Sequence, residues 1–409
     1  MSLQTQVSNF NTGTGTGTLD VSTNFTPSLV IFANPTTDSA DEQFGIGACA
    51  VNPTDDFVAG IANEHNTNTT DANRYFNNAA CVLICLASGA PRFLANLQSF
   101  NSSPTGFTLN RTTSGVTSGQ TGRFVALAGE GVDFKVLTID VTTSVGEQSF
   151  SVGFRPVALI LVMTRDDTTA GNEQHARFLI GFGDAQLNQA CVGYFGEDAA
   201  AAADEYVTQR TDRIIRMMDA AGTVEFEATL QAMTNDGFTL NVSNAPSATT
   251  RIGVIALGGS IHAKVDKIDL NTVTGNQDSP DNGFRSALVF FASFGLAAAT
   301  TVQNAGRQMF GVGMSSGSRW VRSISADHAA DPTAVSDADS ATRCVRIASG
   351  AGTLQTDADF VSHNDRNFTI NVTTANGTSR EVIYLAIGEA RSLVPDGKRR
   401  AQLHGLIAA

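Results

Sequence analysis

The chain is short of most features that mark a catalyst, a secreted scaffold or a nucleic-acid binder. Only 16% of its 409 residues are charged, against an apolar fraction of 42%. That balance excludes a helical enzyme laced with ion pairs. Cysteine is scarce, with five residues, Cys49, Cys81, Cys85, Cys191 and Cys344. The number is odd and no spacing recurs, so a disulfide framework is excluded and free thiols are expected. Cys81, Cys85 and Cys344 lie in apolar runs and read as small buried hydrophobes. One Trp and four Tyr make few stacking platforms for sugars. The six histidines are scattered, none reads as recurring, and no His-x-x-x-His or Cys-x-x-Cys pair exists, so no metal site is expected. Nucleophile elbow, catalytic dyad and cofactor fingerprint are all missing, and the expectation is a protein without enzymatic activity or cofactor. No run of 18 apolar residues exists and the first residues carry no basic or apolar leader, so neither a membrane span nor a secretion signal is expected. A net charge of −13 repels phosphates and argues against nucleic acid as a partner.

What the chain does have is repetition at a step of about 130 residues. Gly106-Phe107-Thr108-Leu109-Asn110 returns as Gly237-Phe238-Thr239-Leu240-Asn241 and as Asn367-Phe368-Thr369-Ile370-Asn371. Ala126-Leu127-Ala128-Gly129 returns as Ala256-Leu257-Gly258-Gly259 and Ala386-Ile387-Gly388-Glu389. Phe25-Thr26-Pro27, Phe154-Arg155-Pro156 and Phe284-Arg285-Ser286 each precede an apolar run. Gly45-Ile46-Gly47, Gly181-Phe182-Gly183 and Gly311-Val312-Gly313 complete the set. Landmarks in one order at one step mark three copies of one domain, 1–130, 131–260 and 261–389, followed by a tail, 390–409. Chemistry needing a unique site should break such a repeat, and scaffold residues should keep it.

The middle copy shows the local grammar best. Residues 148–152 alternate polar and apolar, whereas 157–163 are continuously apolar, as in a strand covered on both faces. Further short strands are expected at 178–183, 214–218, 223–228, 238–242 and 251–257, with the turn Asn235-Asp236-Gly237 before the fourth of these. Seven or eight short strands per copy predict an all-β chain of three tandem β-sandwich or jelly-roll-like domains. Three such units can cover one another's edges around a pseudo-threefold axis. The segments 52–80, 186–211 and 315–341 differ most between copies and read as loops, the second with a helix candidate at 198–206. The alternating Gly and Thr of 12–18 lacks the Lys of a phosphate loop and reads as a lead-in or edge strand. Asp337-Ala338-Asp339 and Asp357-Ala358-Asp359 lack the spacing of a cation loop and read as surface acids.

The phrases Phe-x-Pro before an apolar strand, Gly-Phe-Gly, Gly-Phe-Thr-Leu-Asn and Ala-Leu-Gly-Gly resemble a β-sandwich repeat unit of tailed-bacteriophage structural proteins. The resemblance covers roughly residues 10–389 and departs at Ser286, Asn367 and Ala128. It implies a virion component made in the host cytoplasm, a surface decoration, cement or head-spike protein with other virion proteins as partners. The alternative is a tail or tail-fibre component that binds host-surface glycans. Two candidate sites go with these readings. Arg391, Lys398, Arg399 and Arg400 against Asp396 give the tail a net +3 on a body of −16, a candidate partner anchor. Arg319, Trp320 and Arg322 form a candidate recognition loop, in which the lone Trp either stacks on a sugar or fills a gap between units.

Overall fold

The computed structural model describes residues 3–389 apart from 36–40, 52–55, 165–167, 169, 203, 298–300 and 316. Its described residues contain strands and no helix. The first copy runs β1 (Gln4–Asn11), β2 (Gly17–Ser22), β3 (Leu29–Ala33), β4 (Asp41–Ala50) and β5 (Phe57–Glu64). It continues with β6 (Ala72–Asn77), β7 (Val82–Cys85), β8 (Pro91–Ser102), β9 (Thr105–Ser114) and β10 (Thr121–Ala128). The second copy runs β11 (Val132–Val141), β12 (Gly146–Ser151), β13 (Pro156–Met163), β14 (Gly171–Gln174), β15 (Ala176–Asp184) and β16 (Gln189–Gly196). Then come β17 (Glu205–Arg210), β18 (Ile215–Met218), β19 (Val224–Met233), β20 (Gly237–Asn244) and β21 (Thr250–Gly259). The third opens with β22 (Ile261–Asp269), β23 (Gly275–Asp278), β24 (Leu288–Ser293), β25 (Gln303–Asn304), β26 (Gly306–Ser315) and β27 (Ser318–Ala326). It ends with β28 (Val335–Ser340), β29 (Val345–Ala348), β30 (Leu354–His363), β31 (Phe368–Thr374) and β32 (Glu381–Glu389).

Each copy builds a large and a small antiparallel sheet. The small sheets are β2-β9-β8-β7, β12-β20-β19-β18 and β23-β31-β30-β29. The large ones are β1-β10-β3-β4-β5-β6-β14, β11-β21-β13-β15-β16-β17-β25 and β22-β32-β24-β26-β27-β28. Two strands cross copies: β14 of the second extends the first copy's sheet at β6, and β25 of the third extends the second's at β17. Such additions cover edges that would otherwise offer unpaired backbone to another chain.

The continuous apolar runs are explained by burial on both faces. In β13, Leu159, Leu161 and Met163 pack on the small sheet, whereas Ala158, Ile160 and Val162 face a core shared by all three copies. The same split divides Val30 and Phe32 from Leu29, Ile31 and Ala33, and Val289 and Phe291 from Leu288, Phe290 and Ala292. The molecule therefore has three sandwich cores and one central core. Neighbouring copies touch pairwise, β5 on β15, β16 on β26 and β27 on β4, so the three units close into a ring around that core.

The repeated phrases find their reasons in the sandwiches. Phe107, Phe238 and Phe368 are each fully buried. A Cβ on Gly47, Gly181 or Gly311 would lie 2.0, 2.1 or 1.8 Å from the carbonyl oxygen of Cys81, Ile214 or Cys344. Only glycine lets the chain entering β7, β18 or β29 approach so closely. This contact corrects the alignment: Gly47 is the counterpart of Gly181 and Gly311, two residues beyond Gly45. Two residues is one pleat period, so the slip kept the face and escaped notice.

Three further expectations change. The segments 52–80, 186–211 and 315–341 carry β5 and β6, β16 and β17, and β27 and β28. They look like loops because both faces of β5, β6, β16 and β27 are buried and the mixture of Gly, Ala and polar residues in these segments shows no alternation. The helix candidate at 198–206 is a bend running into β17. Of the 12–18 stretch, 12–16 are the β1–β2 turn and 17–18 open β2, an edge strand of the small sheet, so the edge-strand reading holds in part. Arg111 holds the turn, its guanidinium donating to the carbonyls of Thr12, Thr14, Gly17 and Thr18.

Candidate functional site: the seams between units

The polar side chains that break the repeat gather where one unit meets the next. At one end of the ring the turns after β5, β16 and β27 reach the starts of β28, β6 and β17 of a neighbouring unit. Val335 N donates to His65 Nδ1 at 3.1 Å, Ala72 N donates to Asp198 Oδ1 at 3.0 Å, and Glu205 N lies 3.1 Å from His328 Nδ1. The three acceptors hold one structural position, and each precedes a residue in the left-handed region, Asn66, Ala199 and Ala329. His65 and His328 thus do recur, contrary to the expectation from sequence. The backbone interlocks there too: Asn66 N donates to Thr333 O and Ala199 N to Thr70 O. Thr67 N and Ala200 N donate to the Oγ1 of Thr333 and Thr70 respectively.

Behind these clasps the first residue of β6, β17 or β28 and the residue five before the close-approach glycine of β15, β26 or β4 hold equivalent positions: Ala72 and Ala176, Glu205 and Gly306, Val335 and Glu42. The first set is two buried alanines flanked by an ion pair, Arg74 with Glu173. In the second, the Glu205 carboxyl occupies a slot between Gly196 and Gly306, where added Cβ atoms would lie 2.8 and 2.7 Å from Oε2. Glu205 is 2% exposed and its Oε2 has no hydrogen-bond partner. Tyr194 hydrogen-bonds the carboxyl and in turn accepts from Asn63 Nδ2 at 2.6 Å, a chain from the second unit to the first beside Gly306 of the third. Burial holds the Glu205 carboxyl up at about 8. In the third pair, Asp337 N donates to Glu42 Oε2 at 3.0 Å, and Arg322 Nη2 reaches Asp337 Oδ2 at 3.1 Å. Burial and the facing Asp337 raise Glu42 to about 8.

The candidate recognition residues belong to this seam and not to a loop. Trp320 lies in β27, 1% exposed, with Nε1 donating to Phe124 O of the first unit at 3.2 Å. A ring so enclosed has no face for a sugar, so the recognition reading is corrected and the gap-filling one stands. Arg322 is 2% exposed and also donates to Gln43 O across the seam at 3.2 Å. Arg319 bonds Asp359. The Asp-x-Asp pairs are likewise not plain surface acids. Asp337 pairs with Arg322, Asp339 with Arg123 of the first unit, and Asp357 with both Arg343 and Arg346. Arg391, Lys398, Arg399 and Arg400 lie outside the described residues.

All five cysteines are buried and free, and burial pushes the Cys191 and Cys344 thiols up, as expected of inert packing groups. Among the described residues no group of three or more His, Cys, Asp or Glu is arranged to hold a metal. An open groove of about 460 Å³ lies between the second and third units, lined by Asn188, Gln189, Asp212, Lys264, Asp266 and Lys267 among others. It contains no aromatic ring.

The fold and the seams define a class, a single-chain ring of three β-sandwiches sharing a central core. No protein-family model matches the chain, and no curated protein matches it. Among solved structures, the crystal structure of the major capsid protein P2 from Bacteriophage PM2 is similar over 64% of this chain and 99% of that one. The identity is 10% and the TM-score 0.21, too low to carry an argument.

Proposed function

We propose that the chain is a structural protein of a bacteriophage virion, placed on the particle surface as a decoration, cement or head-spike component. One observation carries the reading: three sandwiches of one chain close around a common core, which gives a monomer the footprint of a trimer. Such a body suits a local threefold position built from repeated neighbours. The resemblance of the repeated phrases to tailed-phage structural units supports it. So do the polar residues that break the repeat, which are spent on holding units together. The basic segment 390–409 is the anchor to an acidic neighbour, and the partners are other virion proteins. The role is structural and not enzymatic. The glycan-binding alternative loses its best residue with the burial of Trp320.

Electron cryomicroscopy of particles made with and without this protein tests the proposal. Density for a threefold-like body on the particle, absent from the deletion, is the expected result. Particles that never incorporate the chain overturn it. Removal of residues 397–409 is expected to weaken incorporation while the thermal unfolding of the isolated body stays unchanged.

A further inference from the structure

We infer that the ring is proton-locked: two of its three seams are closed by carboxyl groups that stay neutral, and these two loosen when the groups ionise, while the seam between the first and second units does not respond.

The three seams differ at equivalent positions. The first–second seam has two buried alanines there, Ala72 and Ala176, beside ions of opposite sign, Arg74 and Glu173. The second–third seam places a carboxyl at the same spot, in a slot that only two glycines leave open. A charged carboxylate there would have one oxygen without any donor, a far larger penalty than a neutral acid in the same place. The groups facing Glu205 are Tyr194 and, through it, Asn63, with Asp204 adjacent in sequence. None is a cation aimed at the carboxyl. His328 Nδ1 sits 3.1 Å from both the amide nitrogen and the carbonyl oxygen of Glu205, so it keeps a partner in either protonation state. The third–first seam sets the half-buried Glu42 beside Asp337, whose charge and side-chain hydrogen bond add to burial in favouring the neutral Glu42 carboxyl, while the Asp337 amide donating to Oε2 works the other way. Arg322 is the cation facing that pair: its Nη2 bonds Asp337 and Gln43 O, its buried Nη1 has no hydrogen-bond partner, and its charge opposes the shift of Glu42 without reversing it.

The direction follows from linkage. A carboxyl raised from about 4.5 to about 8 in the closed ring contributes stability that is complete below the lower value. That stability is lost as pH rises through the interval and levels off above about 8. The third–first seam also holds His65, whose Nδ1 accepts from Val335 N.

Hydrogen exchange of the full chain from pH 6.5 to 9, expressed as protection relative to the intrinsic rate, reads each seam separately. Protection at the start of β17 is expected to fall by about thirtyfold over this range, and that at the start of β28 by less, because Glu42 is only half-buried. Protection at the start of β6 stays flat. Glu205→Gln abolishes the fall at β17 only, and Glu42→Gln or Asp337→Asn abolishes it at β28 only. Should Glu205→Gln fail to fold, Glu205→Val, which installs the residue that the third unit carries there, serves the same purpose. An equal fall at all three seams, no fall in the parent, or a fall that survives these substitutions overturns the inference.

Discussion

The sandwich cores and the central core are built from the same strands but by different rules. Each sandwich core is made by one copy, and its landmarks recur: Phe107, Phe238 and Phe368 in one place, Gly47, Gly181 and Gly311 in another. The central core is made once, by all three copies. Some counterparts recur there too, Leu127, Leu257 and Ile387 among them, but at the seams they diverge: Phe57, Ala190 and Trp320 share a position, as do Ile61, Tyr194 and Ile324. Divergence at these positions therefore marks what the ring needs to close in one order. A large residue at one seam against a small one at the next disfavours docking a unit on the wrong neighbour.

The sharpest way to break this comparison is to empty the central core. Trp320→Ala removes a ring packed against Phe310 and bonded to Phe124 O, and is expected to cost about 3–5 kcal/mol. Because the cavity opens between units, calorimetry should show the whole ring destabilised together. A loss confined to the third unit would show that the central core does not couple the copies. Gly181→Ala probes the other side. Its Cβ would meet Ile214 O at 2.1 Å inside one sandwich, and overpacking of this kind costs about 1–3 kcal/mol. The damage should register first in exchange of β15 and β18, with the third unit's β26 and β29 spared.

Smaller effects come from single seam contacts. Arg123 and Asp339 join the first and third units, both mostly buried. Asp339→Asn keeps the shape and removes the charge, and is expected to cost about 1.5–3 kcal/mol, the range for hydrogen bonds to charged groups. Denaturant melts of this variant beside Asp339→Ala separate the electrostatic part from the packing part. A melt unchanged from the parent in both would show the pair contributes nothing to closure.

The sandwiches were readable in the chain because their signals are local. The apolar run 157–163, the turn glycines and the phrase around Phe238 each carry a pattern within ten residues, and the step of 130 adds a check that no single segment offers. The seams were unreadable for the complementary reason. Strands such as β5, β16 and β27 bury Asn63, Tyr194, Ser323 and Ser325, and nothing in their composition says that a partner 130 or 260 residues away will satisfy them. Trp320 looked like a loop residue because its strand lacks alternation. The His65 and His328 correspondence was hidden because the second unit fills the same position with Asp198. The carboxyls of Glu42 and Glu205 gave no sign either, since a buried acid and a surface acid are the same letter until the neighbours are known.

The finest test of the comparison uses that mixed position. Asp198 and His65 accept the same backbone donor at two different seams, one as a carboxylate and one as an imidazole. If the position is part of ring closure, His65→Ala costs about 1 kcal/mol at neutral pH, the price of one orphaned amide at a partly exposed clasp. His65→Asp then restores most of that loss, because it copies the first–second seam. Exchange of the Val335 amide at neutral pH reads this directly. Equal protection in the parent, the Ala and the Asp variants would show that the clasp follows from ring closure and does not support it.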